Sequence, residues 1–175
     1  NHASGCYAAH SGIKRWNRLA EHRLTTAEKW AALAEWATGQ PYPGVDFTRA
    51  WKNLLFNQFH DTLAGTSIEP AYDDARDQIG EALAIADRGF NLAAQAFAWR
   101  INLPLEPEAR PLVVFNPHAW AGEQVVELEF GRIGPDDVLV DDAGRVVPHQ
   151  LVQSRATAGG RNRLCFLADL PALGY

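Results

Sequence analysis

From Ser11 onward, apolar side chains recur at Ile13, Ala20, Leu24, Ala27, Ala31 and Ala34. Intervals of three, four or seven lay them along one stripe of a helix with 3.6 residues per turn. The run GQPYPG at 39–44 ends that helix, because proline and glycine break the repeating backbone bond. A second helix is predicted from Asp46 as N-cap, with Phe47, Ala50, Trp51, Leu54 and Leu55 as its apolar face and Gly65 as its stop. Thr66 or Ser67 caps a third, whose first turn holds Glu69 and Pro70. Its stripe runs through Tyr72, Ala75, Ile79, Ala82, Ala86, Phe90, Ala93 and Phe97. Three long helices with short connections predict an antiparallel bundle.

After LPLEPEARP at 103–111 the period shortens. LVVFN, EQVVELEF, VLV, RVVPHQL and NRLCFLA are short, rich in Val and Leu, and separated by Asn116-Pro117, Gly134-Pro135 and Gly159-Gly160. These are strand and turn signals. About five strands are too few for a closed sandwich, which uses roughly seven. The fold class is therefore α+β and multidomain: a three-helix antiparallel bundle over 1–101, a linker at 102–111, and the start of a sandwich-like antiparallel β domain over 112–175.

A length of 175 residues allows one large or two small domains. With 47% hydrophobic and 21% charged residues the composition is that of an ordinary globular protein. Without an apolar run of about 18 residues it offers no membrane span. The net charge of -5 opposes a nucleic-acid surface. Cys6 and Cys165 fall in different predicted domains and form no secreted-type disulfide framework, so a cytoplasmic location is expected. The chain opens on Asn1 and closes on PALGY, ends that read as cuts through a longer polypeptide.

Candidate chemistry is sparse. His10, His22, His118 and His149 read as surface or structural residues, and Trp16, Trp30, Trp36 and Trp51 as helix packing. Asp73, Asp74 and Asp77 form an acidic helical face near Arg76, while Asp136-Asp137 and Asp141-Asp142 flank turns; none pairs convincingly for acid/base hydrolysis. There is no G-x-S-x-G elbow, P-loop, H-E-x-x-H or paired C-x-x-C. His60-Asp61 stands out, because a sharp turn of Gly65, Thr66 and Ser67 follows it directly. Imidazole and carboxylate are both zinc donors. The competing reading is that the two side chains satisfy backbone groups at a helix end.

NQFHDTLAGTS resembles the Phe-His-Asp motif of glycoside hydrolase family 38, the α-mannosidases of bacterial or cytosolic type. HASGCYAAHSGIKRWNRLAEHRL is similar to that family's Gly-x-Tyr segment leading into its middle domain, and AYDDAR to the start of the next long helix. LVVFNPHAW, VPHQL and FLADLPALGY resemble the opening strands of its C-terminal β region. The likeness runs in order over nearly the whole chain. Ala64 departs from it, standing where many bacterial members have proline.

The resemblance implies a zinc-dependent retaining hydrolase of terminal α-mannosides. It further implies that His60 is a metal ligand and that Asp61 lies against metal and sugar. The remaining ligands, the nucleophile and the acid/base are implied in an N-terminal α/β domain of the same polypeptide, so no catalytic residue is expected in this chain and the chain alone is expected to be inactive. Two other readings stay open: a non-catalytic helical interaction module, and a family relative specific for another mannoside such as mannosylglycerate.

Overall fold

The computed structural model describes residues 5, 8–103, 107, 109–131, 133–134, 136–154 and 162–175. Two compact units divide the chain, Asn1–Ala109 and Arg110–Tyr175. The first is helical and the second carries a small antiparallel sheet, giving an α+β fragment.

In the first unit α1 spans Ser11–Thr38, α2 Gly44–Phe56, α3 His60–Ala64 and α4 Glu69–Ala98. All six apolar positions expected on α1 are buried. Gly39 ends that helix in the left-handed region at φ 78°, its N–H reaching the Glu35 carbonyl at 3.1 Å. This is the glycine stop that GQPYPG announces.

The arrangement departs from a three-helix bundle in having four helices among the described residues, because the expected second helix breaks at 57–59. Asn57, Gln58 and Phe59 donate to Leu54, Leu55 and Phe56, three residues back instead of four, which tightens and closes the last turn. The buried Asn57 amide donates to the Asn53 carbonyl at 2.8 Å and to Gln78 Oε1 at 2.7 Å, and Phe59 swings to an extended ψ of 138°. The expected caps also differ. Pro43 precedes α2, and Asp46 sits in its first turn paired with Arg49 and Arg88. Ile68 precedes α4, so neither Thr66 nor Ser67 caps it.

Cross-helix pairs give the directions. Arg23 meets Asp87 and Arg100 reaches the Thr38 carbonyl, so α1 and α4 run parallel. Asp46 meets Arg88 while Asn57 meets Gln78, and Trp51 meets Glu28 while Gln58 meets Asn17, so α2 returns between them. The shared core joins Ile13, Leu24, Phe47, Leu54, Tyr72, Ile79 and Ile85 to a set of alanines on α1 and α4. Burying each large apolar side chain stabilises by roughly 1.5–3 kcal/mol, and alanines at the contact let helices approach closely. Trp30 joins the packing edge-on to Phe90 and Phe97. Trp36 does not pack as expected: it lies two residues beyond Ala34, about 200° round the helix, and stands exposed.

In the second unit β1 (Gly122–Phe130), β2 (His149–Val152) and β3 (Asn162–Leu170) form a sheet of order β1-β3-β2, antiparallel throughout. Leu164, Phe166 and Leu170 of β3 are buried on one face. Arg163 on the other pairs with Glu127. Two of the five expected strands are absent among the described residues. LVVFN lies between Pro111 and Pro117, which donate no N–H, and it joins no ladder among the described residues, although the Asn116 N–H donates to the Gly174 carbonyl at 2.9 Å. VLV contributes a single bridge, Val140 to Val146, across a turn that Asp141 closes. RVVPHQL shortens to His149–Val152 because Pro148 cannot join a ladder.

Candidate functional site

Phe59 leaves the broken helix in extended conformation, and α3 then begins on His60 and Asp61. The five-residue helix closes on Gly65 at φ 93°. Gly65 N–H donates to the Thr62 carbonyl at 3.2 Å and Thr66 N–H to the Asp61 carbonyl at 3.0 Å. This is the Schellman pattern, in which backbone groups satisfy one another at the end of the helix. Glycine is required at this turn twice over. Its φ is left-handed, and a Cβ there would meet the Cβ and carbonyl oxygen of Ala9 at 2.8 Å each.

On this turn the His60 side chain is 78% exposed and that of Asp61 51%, with Nε2 and Oδ1 3.5 Å apart. A contact so exposed adds about 0–1 kcal/mol at most. The Phe59 ring leans on the imidazole, centroids 4.1 Å apart. No side chain caps the start of α3, and besides the His60 contact the Asp61 carboxylate takes a long one from Thr66 Oγ1, 3.4 Å. Among the described residues the two groups therefore do not satisfy helix-end backbone. They begin a helix instead of ending one.

Their donor chemistry fits a metal: an imidazole nitrogen and a carboxylate oxygen, both reachable from solvent and adjacent. Two donors are short of the three or four that hold zinc. Among the described residues no group of three or more His, Cys, Asp or Glu is gathered for a metal.

Several of the other candidate polar residues have structural partners. Arg76 pairs with Asp73 at 3.0 Å and lies over the Trp16 ring at 5.8 Å. Asp137 accepts the Gly134 N–H at 2.8 Å. Asp141 accepts N–H groups of Ala143 and Arg145, and the Arg145 N–H, its guanidinium and the Ala143 N–H together hold the Asp141 carboxyl below its ordinary range. Cys165 is a free thiol on β3, and Cys6 lies outside the described residues.

Periodicity did not reveal His10 and Tyr72 beside the turn. The two rings stack face to face, centroids 3.8 Å apart and planes 7° from parallel, and the Tyr72 hydroxyl accepts the Ser67 N–H at 3.0 Å. The positive φ of His10, 44°, is invisible in composition, and a contact between residues so distant in sequence leaves no local signal.

A helical domain that carries an exposed His-Asp turn between α2 and α4, followed in sequence by a small antiparallel sheet, is what these residues build. Residues 2–97 match the family described as Alpha mannosidase middle domain. The chain belongs to that family, and the resemblance to glycoside hydrolase family 38 holds. It is 29% identical over 126 residues to Alpha-mannosidase 2C1 of Mus musculus, a match covering 71% of this chain and 12% of that protein. Alpha-mannosidase G of Dictyostelium discoideum is 33% identical over 70 residues, 40% of this chain and 6% of that one. The crystal structure of an alpha-mannosidase from Enterococcus faecalis V583 shares the fold, with a TM-score of 0.76 over 98% of this chain and 23% of its own length at 22% identity. The chain thus spans about an eighth of the mouse relative.

Proposed function

We propose that the polypeptide carrying this chain is a zinc-dependent retaining α-mannosidase acting on terminal α-mannosides, with His60 as a metal donor and Asp61 as a carboxylate facing the sugar. The observation that supports this is the outward presentation of both side chains from a turn whose own backbone is hydrogen-bonded. A surface His-Asp contact adds little to stability, so its placement on a glycine-locked turn suits a site better than a scaffold.

His60 would offer an imidazole nitrogen in its neutral form, since a protonated ring has no lone pair to give. Asp61 would accept hydrogen bonds from sugar hydroxyls and hold the ring's orientation. Zinc, when bound, supplies Lewis-acid polarisation at the hydroxyls it touches. Retention requires two further carboxylates about 5–5.5 Å apart, as nucleophile and acid/base, and these are assigned to an N-terminal α/β domain of the same polypeptide.

The isolated chain is then inactive and holds zinc weakly. Calorimetric titration with zinc is expected to show no tight site, and a tight stoichiometric one would mean a local ligand set has been missed. In the full-length protein, His60→Ala is expected to lose both zinc and turnover. Unchanged kcat/KM on an aryl α-mannoside would remove His60 from the site. Turnover of mannosylglycerate with none of oligomannosides would move the substrate assignment to that relative.

A further inference from the structure

The turn bearing His60 and Asp61 is held from one side by groups that no part of the proposed chemistry uses. Tyr72, 4% exposed, lies in the first turns of α4. Its hydroxyl accepts the Ser67 N–H at 3.0 Å and makes a longer contact, 3.4 Å, to the Asp61 carbonyl oxygen. One oxygen therefore touches both ends of the turn. The phenol ring cannot swing away, because the His10 imidazole covers its face at 3.8 Å, and Glu69 Oε2 stands 3.8 Å from His10 Nε2. His10 itself is fixed by its left-handed backbone and by Ala9, against whose carbonyl Gly65 packs too closely for any Cβ. Lys14 Nζ donates to that same carbonyl.

The geometry points to His10 and Tyr72 as positioning residues: a stacked pair that fixes the backbone of 61–67 and thereby the direction of the His60 and Asp61 side chains. A face-to-face stack of imidazole on phenol is short and planar, so it constrains both translation and tilt of the Tyr72 hydroxyl. The functional part of this inference rests on the assignment of His60 to the metal; the structural part does not.

The test uses three variants of the full-length polypeptide. Tyr72→Phe keeps the ring and the stack but removes the hydroxyl, His10→Ala removes the stack, and His10→Phe restores a stacking ring. Amide hydrogen exchange by mass spectrometry is read over 61–67 and, as reference, over the middle of α1 and α4. Tyr72→Phe and His10→Ala are expected to speed exchange at 61–67 by roughly five- to tenfold, the loss of about one hydrogen bond, with the reference helices unchanged. His10→Phe is expected to return it close to the parent rate. The same two disruptive variants are expected to lose zinc faster to a chelator and to lower kcat more than they raise KM. Unchanged exchange at 61–67, an equal rise throughout the chain, or no rescue by His10→Phe would each overturn the positioning role. Faster local exchange with zinc retention and kcat unaltered would keep the clamp and refute its link to the metal site, a result distinct from loss of the His60 assignment, which His60→Ala reads separately.

Discussion

Two glycines in the interior of α4, Gly80 and Gly89, are expected to respond to alanine with opposite signs. In a helix interior alanine is favoured over glycine by roughly 0.5–1 kcal/mol, because glycine loses more backbone freedom on folding. At Gly80 a new Cβ meets nothing within 4 Å, so the gain is retained in full. At Gly89 the Cβ would lie 2.7 Å from Phe47 Cζ and 3.0 Å from Cε1. Phe47 is 1% exposed and its ring rests against Tyr42, centroids 5.4 Å apart, so it cannot retreat without opening the core. Overpacking of this kind costs about 1–3 kcal/mol, which offsets or exceeds the helix gain and leaves a net loss of up to about 2.5 kcal/mol. At about 2–4 °C per kcal/mol for a chain of this size, Gly80→Ala should raise Tm by a few degrees and Gly89→Ala should lower it by a similar amount. Thermal unfolding followed by far-ultraviolet circular dichroism reads both. Phe47→Leu combined with Gly89→Ala should cost less than the sum of the single changes, since the shorter side chain vacates the contact. If Gly89→Ala melts at or above the parent temperature, the reasoning from Phe47 fails.

Asn116, 1% exposed, donates through its amide to the carbonyls of Trp120 at 2.9 Å and Pro171 at 2.8 Å and accepts the His118 N–H at 2.9 Å. Asn116→Ala leaves those groups unpaired and should cost about 2–5 kcal/mol, read as early urea unfolding of the sheet unit and intact helical signal; retained sheet stability would show that water replaces the side chain. Burial, the hydrogen bond to Glu28 and the charges of Glu28 and Glu35 push the Tyr42 phenol from 10.0 up to about 12. The folded state thus keeps a proton that the unfolded state releases, so stability is intact below pH 10 and falls as pH rises towards 12. Tyr42→Phe should flatten that fall, and an unchanged slope would locate it elsewhere. Glu28 also accepts from Trp51 Nε1 at 3.0 Å, so Glu28→Ala should destabilise by about 1–3 kcal/mol in denaturant titration and Glu28→Gln by less, because the amide keeps one acceptor.

Helices were legible where packing follows local periodicity. The six α1 positions from Ile13 to Ala34 all face the core, and Tyr72, Ala75, Ile79, Ala82, Ala86 and Ala93 do so on α4. The break after Phe56 was not legible, because it depends on Asn57 finding Gln78 across the bundle, a partner that no local pattern announces. In the sheet unit, β-branched content suggested strands at LVVFN and VLV, but pairing needs free N–H groups and a neighbour in register. Pro111 and Pro117 remove donors on either side of LVVFN, and Pro148 does so within RVVPHQL. The His60-Asp61 turn was visible from Gly65 and the hydroxyls behind it. Its support was not, since His10 looked like any isolated histidine until α4 brought Tyr72 beneath it.

Parallel α1 and α4 have a consequence for the order in which the molecule can be made. A hairpin of α1 and α2 forms from neighbours in sequence, yet it leaves the start of α1 facing only the end of α2, with Tyr72 still to come. The start of α1 meets the start of α4 only after the chain has run the length of the unit and back, closing a long loop whose entropy must be overcome late. Until that closure Gly65 has a turn to adopt but no Tyr72 hydroxyl to receive Ser67. During synthesis from the N-terminus, His60 and Asp61 therefore emerge before the Tyr72 hydroxyl that receives the Ser67 N–H, and the turn they begin is complete only when α4 docks.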